Sequence, residues 1–304
     1  MIVKKKQKEK RLPMRLLVQM MWTALTNGYV YGFFKGKIYT GPLKNFCVPG
    51  LNCYSCPGAL GSCPIGSLQA VLGSRNYKFS FYIVGFLVAV GSVFGRFVCG
   101  WLCPFGLVQD LLYKIPVPLK RKNLPGHRKL IWVKYVILAV FAVAMPLLAT
   151  DFLGQGKPWF CQYICPGGTL FAGIPLVLGN SSLCSAVGFL FRWKVCIRIV
   201  VAAGAMVIYR PFCKYLCPLG AVYGLFQPLS CYRYRVEKEK CTGCGKCQRV
   251  CRMDIRVCGE PNSRECIRCG DCVKACPEQA IHSSLSEWCG SRRETHKAEK
   301  KWNR

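Results

Sequence analysis

The sequence predicts an α-helical integral membrane domain of about four transmembrane helices in two repeats, followed by a small α+β domain. Three observations support this prediction. The chain of 304 residues is 52% hydrophobic, and its longest apolar stretches approach the roughly 20 residues that a helix needs to cross a bilayer. Its 23 cysteines are concentrated beside those stretches and in one polar segment. That segment begins near Cys231, where the apolar stretches stop.

The apolar stretches define the expected domain boundaries. We expect a basic N-terminus at 1–15, the membrane domain at 16–230, a cysteine-rich domain at 231–282 and a basic flexible tail at 283–304. The expected spanning segments lie at about 16–34, 79–98, 131–150 and 195–209. The last of these is short and contains Arg198, so its helix is expected to begin earlier, near Phe189. The apolar stretch 170–178 is too short to cross and is expected to be re-entrant or interfacial.

The chain has a net charge of +30, and the distribution of its positive residues predicts the orientation in the membrane. Lysines and arginines are concentrated in the N-terminus, in the connection 114–134 and in the C-terminal region. With an even number of spans these regions share one side, which the positive-inside rule makes cytoplasmic. We therefore expect a multi-pass protein of the cytoplasmic (inner) cell membrane with both termini in the cytoplasm. Such charge would also suit nucleic acid, but contact with anionic membrane lipid explains it more simply, and no nucleic-acid partner is expected.

Three cysteine pairs with the spacing C-x3-C-P lie beside the apolar segments. They are Cys99 and Cys103, Cys161 and Cys165, and Cys213 and Cys217. The spacing places both thiols on one helix face, and the proline behind each pair disfavours helix at the second cysteine. The first and third pairs are 114 residues apart and are expected on the cytoplasmic side. Together they could supply four thiolates to one [4Fe–4S] site; the alternative is that they are buried cysteines that only pack.

The outer side is expected to carry the remaining pair and the cysteines of the first loop. These are Cys47, Cys53, Cys56, Cys63, Cys161 and Cys165. By pseudosymmetry, Cys161 and Cys165 would bind an outer cluster with two thiols of the loop, for which we take the C-x2-C pair Cys53 and Cys56. This pair could instead be a redox disulfide, and a structural disulfide is the other alternative. The roles of the four loop cysteines stay open.

The polar segment contains two cysteine runs with the spacing C-x2-C-x2-C-x3-C. They comprise Cys241, Cys244, Cys247 and Cys251, and Cys266, Cys269, Cys272 and Cys276. Three glycines, Gly243, Gly245 and Gly270, allow tight turns that wrap three sulfurs around one cluster. C-x2-C pairs also form zinc sites, but two complete four-cysteine runs in tandem favour iron–sulfur clusters.

This tandem resembles the bacterial two-cluster ferredoxins, in which the fourth cysteine of each run serves the other cluster. The resemblance implies two [4Fe–4S] clusters with crossed ligand sets. One set would be Cys241, Cys244, Cys247 and Cys276, and the other Cys266, Cys269, Cys272 and Cys251.

The whole chain resembles the membrane polyferredoxin family. The resemblance rests on CGWLCPFG and CKYLCPLGA at the ends of apolar helices, followed by the ferredoxin runs. That family includes the membrane ferredoxin subunits of periplasmic nitrate reduction, of nitrous-oxide reductase maturation and of copper-oxidase assembly. The segments LNCYSCP and WFCQYICP make the chain most similar to the anaerobe-type 4Fe–4S binding proteins of this kind. The resemblance implies electron transfer, and one or two further [4Fe–4S] clusters in the membrane domain.

The favoured function is therefore membrane-bound electron transfer through iron–sulfur clusters. Electrons would pass between a cytosolic donor and an acceptor at or beyond the outer face, such as a thioredoxin-like protein, a metalloenzyme or quinone. The chain would be an oxidoreductase-type carrier within a larger redox system, with no catalytic residue of its own. Alternatives are a quinol- or quinone-linked oxidoreductase subunit, a redox-sensing membrane regulator and a metal-reducing assembly factor. The sequence does not identify the donor, the acceptor or the direction of flow.

Overall fold

The structure is a computed structural model that describes residues 14–74, 81–151, 155–179, 185 and 187–284. Its described residues up to 230 form helices joined by loops. The helices are Met14–Thr26, Tyr31–Lys35, Pro64–Leu72, Phe81–Phe94, Phe97–Trp101, Pro104–Lys114, His127–Leu148, Phe160–Ile164, Pro166–Gly179, Phe189–Val207, Pro211–Tyr215 and Pro218–Phe226, with a 3-10 turn at Pro42–Asn45. The helix His127–Leu148 contains a π-helical segment, Leu138–Ala144.

One helix in the described part of the chain, His127–Leu148, is long and apolar enough to cross a membrane. It contains most of the expected third span, 131–150. The expected fourth span is the helix Phe189–Val207, which begins at Phe189 as predicted and carries Arg192, Lys194 and Arg198. The helices Phe81–Phe94 and Pro166–Gly179 are apolar but shorter. The domain of four spanning helices therefore stays a prediction.

The expected first span, 16–34, does not form one helix. The helix Met14–Thr26 ends early, and a separate short helix, Tyr31–Lys35, follows it. At the end of Met14–Thr26, two side chains donate back to carbonyls of the last turn, where the backbone N–H of Asn27 also donates to the Thr23 carbonyl. The Thr26 hydroxyl donates to the Trp22 carbonyl at 2.8 Å, and the Asn27 amide donates to the Thr23 carbonyl at 3.1 Å.

The two predicted repeats share one order of elements. In each, an apolar helix leads to a five-residue helix that contains the first cysteine of a C-x3-C-P pair, and a third helix begins at the proline. The second cysteine, Cys103 or Cys217, is the N-cap of that third helix. The repeats interlock, since Phe189–Val207 packs on Pro104–Lys114 and Pro218–Phe226 packs on Phe81–Phe94.

The cysteine-rich domain is built on one small sheet and two short helices. Strands Tyr234–Val236 and Ile281–Ser283 pair antiparallel, with Tyr234 opposite Ser283. The helices Lys246–Val250 and Asp271–Ala275 each follow a glycine with positive φ, which the sequence predicted as a tight turn. Arg268, with φ 50°, stands where the first run has Gly243, with φ 68°.

Candidate iron–sulfur sites

The eight cysteines of the two runs separate into two pockets. One pocket is lined by Cys241, Cys244, Cys247 and Cys276, and the other by Cys251, Cys266, Cys269 and Cys272. Each pocket thus takes three cysteines from one run and the last cysteine of the other run, which is the crossed grouping of the sequence interpretation. The exchange follows from the short helices, because Cys251 and Cys276 are the C-cap residues that leave the helices Lys246–Val250 and Asp271–Ala275.

The four cysteines of the first and third C-x3-C-P pairs lie close together in the structure. Cys99, Cys103, Cys213 and Cys217 are all buried, and we call them the proximal quartet because they lie on the side of the cysteine-rich domain. Cys217 interacts electrostatically with the other three thiols. The two C-x3-C-P pairs, which are 114 residues apart, therefore converge on one group.

Two arginines connect the repeats at this quartet by crossed hydrogen bonds. Arg96 donates to the Cys213 carbonyl at 3.0 Å, and Arg210 donates to the Cys99 carbonyl. Both side chains have 0% exposure, and both are paired, Arg96 with Glu265 at 2.7 Å and Arg210 with Asp110 at 2.5 Å. Buried positive charge next to four thiols favours an anionic metal–thiolate group at this position.

Amide N–H groups are aimed at the sulfurs of the proximal quartet. The Gln109 side chain donates to Cys213 Sγ at 3.1 Å, and its oxygen accepts from the Phe212 backbone N–H at 3.2 Å. The backbone N–H of Gly220 donates to Cys217 Sγ at 3.4 Å. Hydrogen bonds to the sulfurs are one of the means by which a protein sets the reduction potential of an iron–sulfur cluster.

A second group of cysteines lines a cavity of about 840 Å³. Its members, which we call the distal quartet, are Cys53, Cys63, Cys161 and Cys165. Cys161 interacts electrostatically with the other three. The sequence interpretation placed Cys56 in this group, but the structure brings Cys63 into the cavity wall. Cys56 Sγ instead lies 3.9 Å from Asn27 Oδ1.

Burial raises the pKa of these thiols. The pKa of Cys213 rises to about 11 and that of Cys63 to about 12, because each side chain is withdrawn from water. A free thiol at either position is therefore protonated at neutral pH. Since metals bind the thiolate, loading of either quartet releases protons. None of the described cysteines is joined to another in a disulfide.

The cysteine-rich domain is docked directly on the proximal quartet. Gly100, between Cys99 and Cys103, lies under the Ile267 carbonyl, where a Cβ would come within 2.3 Å of the oxygen. Arg268 donates to the Phe94 carbonyl at 3.0 Å and to Ser230 Oγ at 2.6 Å. The Gln227 side chain donates to the Cys266 carbonyl at 2.9 Å.

Several of these residues were missed by the sequence analysis. Arg96 and Arg210 each lie three residues before the first cysteine of a pair, and that repeat was a usable signal. Cys258, to which the sequence analysis assigned no role, lies with its Sγ 3.5 Å from Cys247 Sγ and lines the same pocket. No group of three or more His, Cys, Asp or Glu among the described residues is placed to hold a single metal ion. A [4Fe–4S] cluster makes a different demand, since each of its four irons takes one thiolate.

Comparison with known proteins identifies 4Fe-4S binding domains in both parts of the chain. A family model described as a 4Fe-4S binding domain matches residues 78–123, 135–179 and 191–230, and a second of the same description matches 234–257 and 260–282. Two proteins of Methanocaldococcus jannaschii, MJ0749 and MJ0750, are 29% and 30% identical over 203 and 206 residues, which is 65% and 66% of this chain and 68% and 76% of theirs. Ferredoxin-type protein NapH of Escherichia coli is 25% identical over 210 residues, 64% of this chain and 63% of NapH. The chain belongs to the membrane polyferredoxin family.

This polyferredoxin is an iron–sulfur protein of the electron-transfer type. No solved structure matches it. A bound [4Fe–4S] cluster supplies one-electron chemistry without making or breaking a bond in the protein. The contribution of the polyferredoxin chain is to offer four thiols per site, to exclude water from them and to direct N–H groups and arginine charge toward the sulfurs.

Proposed function

We propose that this polyferredoxin carries electrons between a soluble donor that docks on the ferredoxin domain and an acceptor at the far end of the helical domain. The observation that carries the proposal is the continuity of its cysteine groups. Cysteines of the helical domain and of the ferredoxin domain share one hydrophobic core, to which Cys99, Cys103, Cys165 and Cys217 belong and against which Cys251 and Cys266 pack. Cys251 and Cys266 also pack in the smaller core around Cys247 and Cys272.

The contact between the ferredoxin domain and the helical domain supports a fixed path. Glu265, the residue before Cys266, is held by Arg96 and by Lys134. Burial opposes the ionisation of Glu265, but these two positive charges outweigh it and lower its pKa. Arg252 adds a further contact, since its guanidinium lies 5.5 Å from the ring centre of Tyr209. Rigid docking keeps the distance between the electron carriers constant.

Leu51 connects the proximal quartet to the distal side. Its backbone donates a hydrogen bond to the Cys103 thiol, and its buried side chain lines the cavity of the distal quartet. The loop that carries Leu51 thus dips into the helical domain. Such a dip shortens the gap that a bilayer core of about 30 Å would otherwise impose on electron transfer.

The membrane arrangement that we propose follows the charge pattern. The ferredoxin domain and both termini lie in the cytoplasm, and the loop that carries Cys53 faces the outer side of the cytoplasmic membrane. His127–Leu148 and the other apolar helices cross or enter the bilayer. The acceptor is then a protein or small molecule of the outer side, such as a thioredoxin-like protein or a metalloenzyme.

One observation favours a second candidate, a quinone-linked oxidoreductase subunit. The cavity of about 840 Å³ beside the distal quartet lies within the volume range of small-molecule sites. Its wall includes Asn52, whose side-chain amide has 0% exposure and no hydrogen-bond partner among the described residues. An acceptor with a carbonyl oxygen, such as a quinone, would satisfy this amide.

Proteoliposomes separate the two candidates. The full chain is reconstituted anaerobically around enclosed cytochrome c, a membrane-impermeant reductant such as titanium(III) citrate is added outside, and reduction of the cytochrome is followed optically. The proposal predicts reduction in vesicles without quinone, and none in vesicles with the Cys213→Ala variant. Reduction only after menaquinone is added to the bilayer would favour the quinone-linked candidate. Failure in both kinds of vesicle would contradict both.

A further inference from the structure

The distal quartet repeats the glutamine contacts of the proximal quartet. The Gln69 side chain donates to Cys161 Sγ at 3.3 Å and accepts from the Phe160 backbone N–H at 3.0 Å. In the proximal quartet, Gln109 makes the same two contacts with Cys213 Sγ and the Phe212 N–H, at 3.1 and 3.2 Å. Each glutamine lies six residues after a Cys-Pro cysteine and is fully buried. The two groups therefore share one local design.

The Cys-Pro cysteines of both quartets also have the same backbone environment. Each one is the N-cap of a helix that begins at the proline. Each thiol accepts a hydrogen bond from the backbone of the glycine three residues later. The pairs are Cys63 with Gly66, Cys103 with Gly106, Cys165 with Gly168, and Cys217 with Gly220. If the proximal thiols are arranged for a cluster, the distal thiols Cys63 and Cys165 meet the same condition.

Cys53 supplies the position that completes the distal quartet. The residue four before Cys63 is Ala59, so this segment has no thiol where the C-x3-C-P pairs carry their first cysteine. Cys53 reaches the site from the loop instead, with its Sγ 3.7 Å from the Cβ position of Gly168. Cys53 interacts electrostatically with Cys63, Cys161 and Cys165. The loop cysteines Cys47 and Cys56 do not line the cavity.

A positive charge accompanies the distal quartet, as it does the proximal one. Lys194 donates to the Cys161 carbonyl at 3.2 Å, and its Nζ lies 3.6 Å from the Cβ position of Gly168. Lys194 thus contacts the backbone of a first cysteine, as Arg96 and Arg210 do in the proximal quartet. Its charge offsets the negative charge that four thiolates bring into a buried site.

We propose that Cys53, Cys63, Cys161 and Cys165 bind a [4Fe–4S] cluster of their own, with Gln69 as a positioning residue that donates to the Cys161 sulfur. This inference deepens the proposed electron-transfer function, on which it rests for its purpose. It adds a site on the far side of Leu51 from the proximal quartet. Its test measures bound iron and spectra, so it stands or falls apart from electron transfer to any acceptor.

Iron and acid-labile sulfide are counted on the full chain purified anaerobically. Four cluster sites predict about sixteen irons per chain. We expect Cys63→Ala and Cys165→Ala each to lose about four irons, whereas the matched loop variants Cys47→Ala and Cys56→Ala keep the full count. About twelve irons in the unaltered chain, or loss in Cys56→Ala without loss in Cys63→Ala, would overturn the proposal. A count of about eight irons would mean that neither quartet binds a cluster, and it would also contradict the proposed electron path.

A second pair of variants guards against simple misfolding. Gln69→Leu and Gln109→Leu keep all eight cysteines of the two quartets, and the ferredoxin-domain signals serve as a folding standard in each sample. Loss of an N–H···S bond lowers the reduction potential of the cluster concerned. We expect each variant to shift a different component in a redox titration followed by electron paramagnetic resonance. A Gln69→Leu spectrum identical to that of the unaltered chain would contradict the proposal.

Discussion

Arg96 and Arg210 hold the two repeats together by exchanging hydrogen bonds: each donates to the carbonyl of the first cysteine in the other repeat. The same residues carry the ion pairs that stabilise the quartet, with Glu265 from the ferredoxin domain and Asp110 from the helix Pro104–Lys114. One arginine thus ties the quartet to the ferredoxin domain, and the other ties it to the first repeat. Because of this exchange, the geometry of the quartet depends on both repeats.

Removing the carboxylate partner of Arg210 should destabilise the helical domain. Asp110→Asn leaves the buried Arg210 charge without its anion, which costs on the order of 3–5 kcal/mol. Asp151→Asn is the matched control, because the pair of Asp151 with Lys157 is exposed and worth about 1 kcal/mol or less. Thermal unfolding in detergent should show a clear fall in Tm for the first variant only. Equal Tm values for the two variants would contradict the role given to Asp110.

The hydrogen bonds of Arg268 to the helical domain should stabilise the protein by more than the strain of its positive φ destabilises it. Its positive φ costs roughly 1–2 kcal/mol for an L-residue, and glycine would relieve that strain. Even so, Arg268→Gly removes three hydrogen bonds to Phe94, Gln227 and Ser230. We expect it to lower stability and to expose the segment 227–233 to proteolysis.

Gln279→Gly is the control for Arg268→Gly. Gln279 has a φ of 48° but is exposed. Relief of its strain should leave stability unchanged or slightly raised, and the cleavage pattern unaltered. The docking argument would be wrong if both glycine variants behaved alike in limited proteolysis.

Gly100 should be needed for the close approach of the ferredoxin domain. A methyl group there would collide with the Ile267 carbonyl, so Gly100→Ala should weaken the contact and slow electron exchange between the ferredoxin domain and the proximal quartet. Gly85→Ala is the control, since no atom of the described residues lies within 4 Å of its Cβ position. In a helix it should stabilise by up to about 1 kcal/mol. Stopped-flow reduction of both variants by a ferredoxin-domain reductant makes the comparison, and equal rates would contradict the argument.

The crossed ligand sets of the ferredoxin domain can be tested by non-additivity. Cys244 and Cys276 line one pocket, and Cys251 lines the other. Each single serine variant should lose about four irons. The double variant of Cys244 and Cys276 should lose no more than either single variant, whereas the double variant of Cys244 and Cys251 should lose about eight. The reverse pattern would assign each run to its own cluster.

The sequence predicted most of the ferredoxin domain because its spacing leaves little freedom. Glycines at fixed offsets and a short helix that contains the third cysteine determine which sulfurs can share a pocket. Arg268 shows the limit of that reasoning. Nothing in the run itself indicates that an arginine can occupy a left-handed position, because the hydrogen bonds that hold it come from Phe94, Gln227 and Ser230 in the helical domain.

The distal quartet could be predicted only in part. The sequence indicated Cys161 and Cys165, but it favoured Cys56 over Cys63 because C-x2-C is a familiar ligand spacing. The better signal was C-P-x-G, which occurs at Cys63, Cys103, Cys165 and Cys217 and not at Cys56. The crossed arginine contacts could not be predicted from the sequence, since they join residues more than 100 positions apart.

The central claim is that two distant C-x3-C-P pairs converge on one cluster-binding quartet. The most direct test counts iron and acid-labile sulfide in the full chain and in the Cys99→Ala, Cys213→Ala and combined variants, all purified anaerobically. The account predicts that each single variant loses about four irons and that the combined variant loses no more than either. Unchanged iron in the single variants, or additive losses in the combined one, would contradict it.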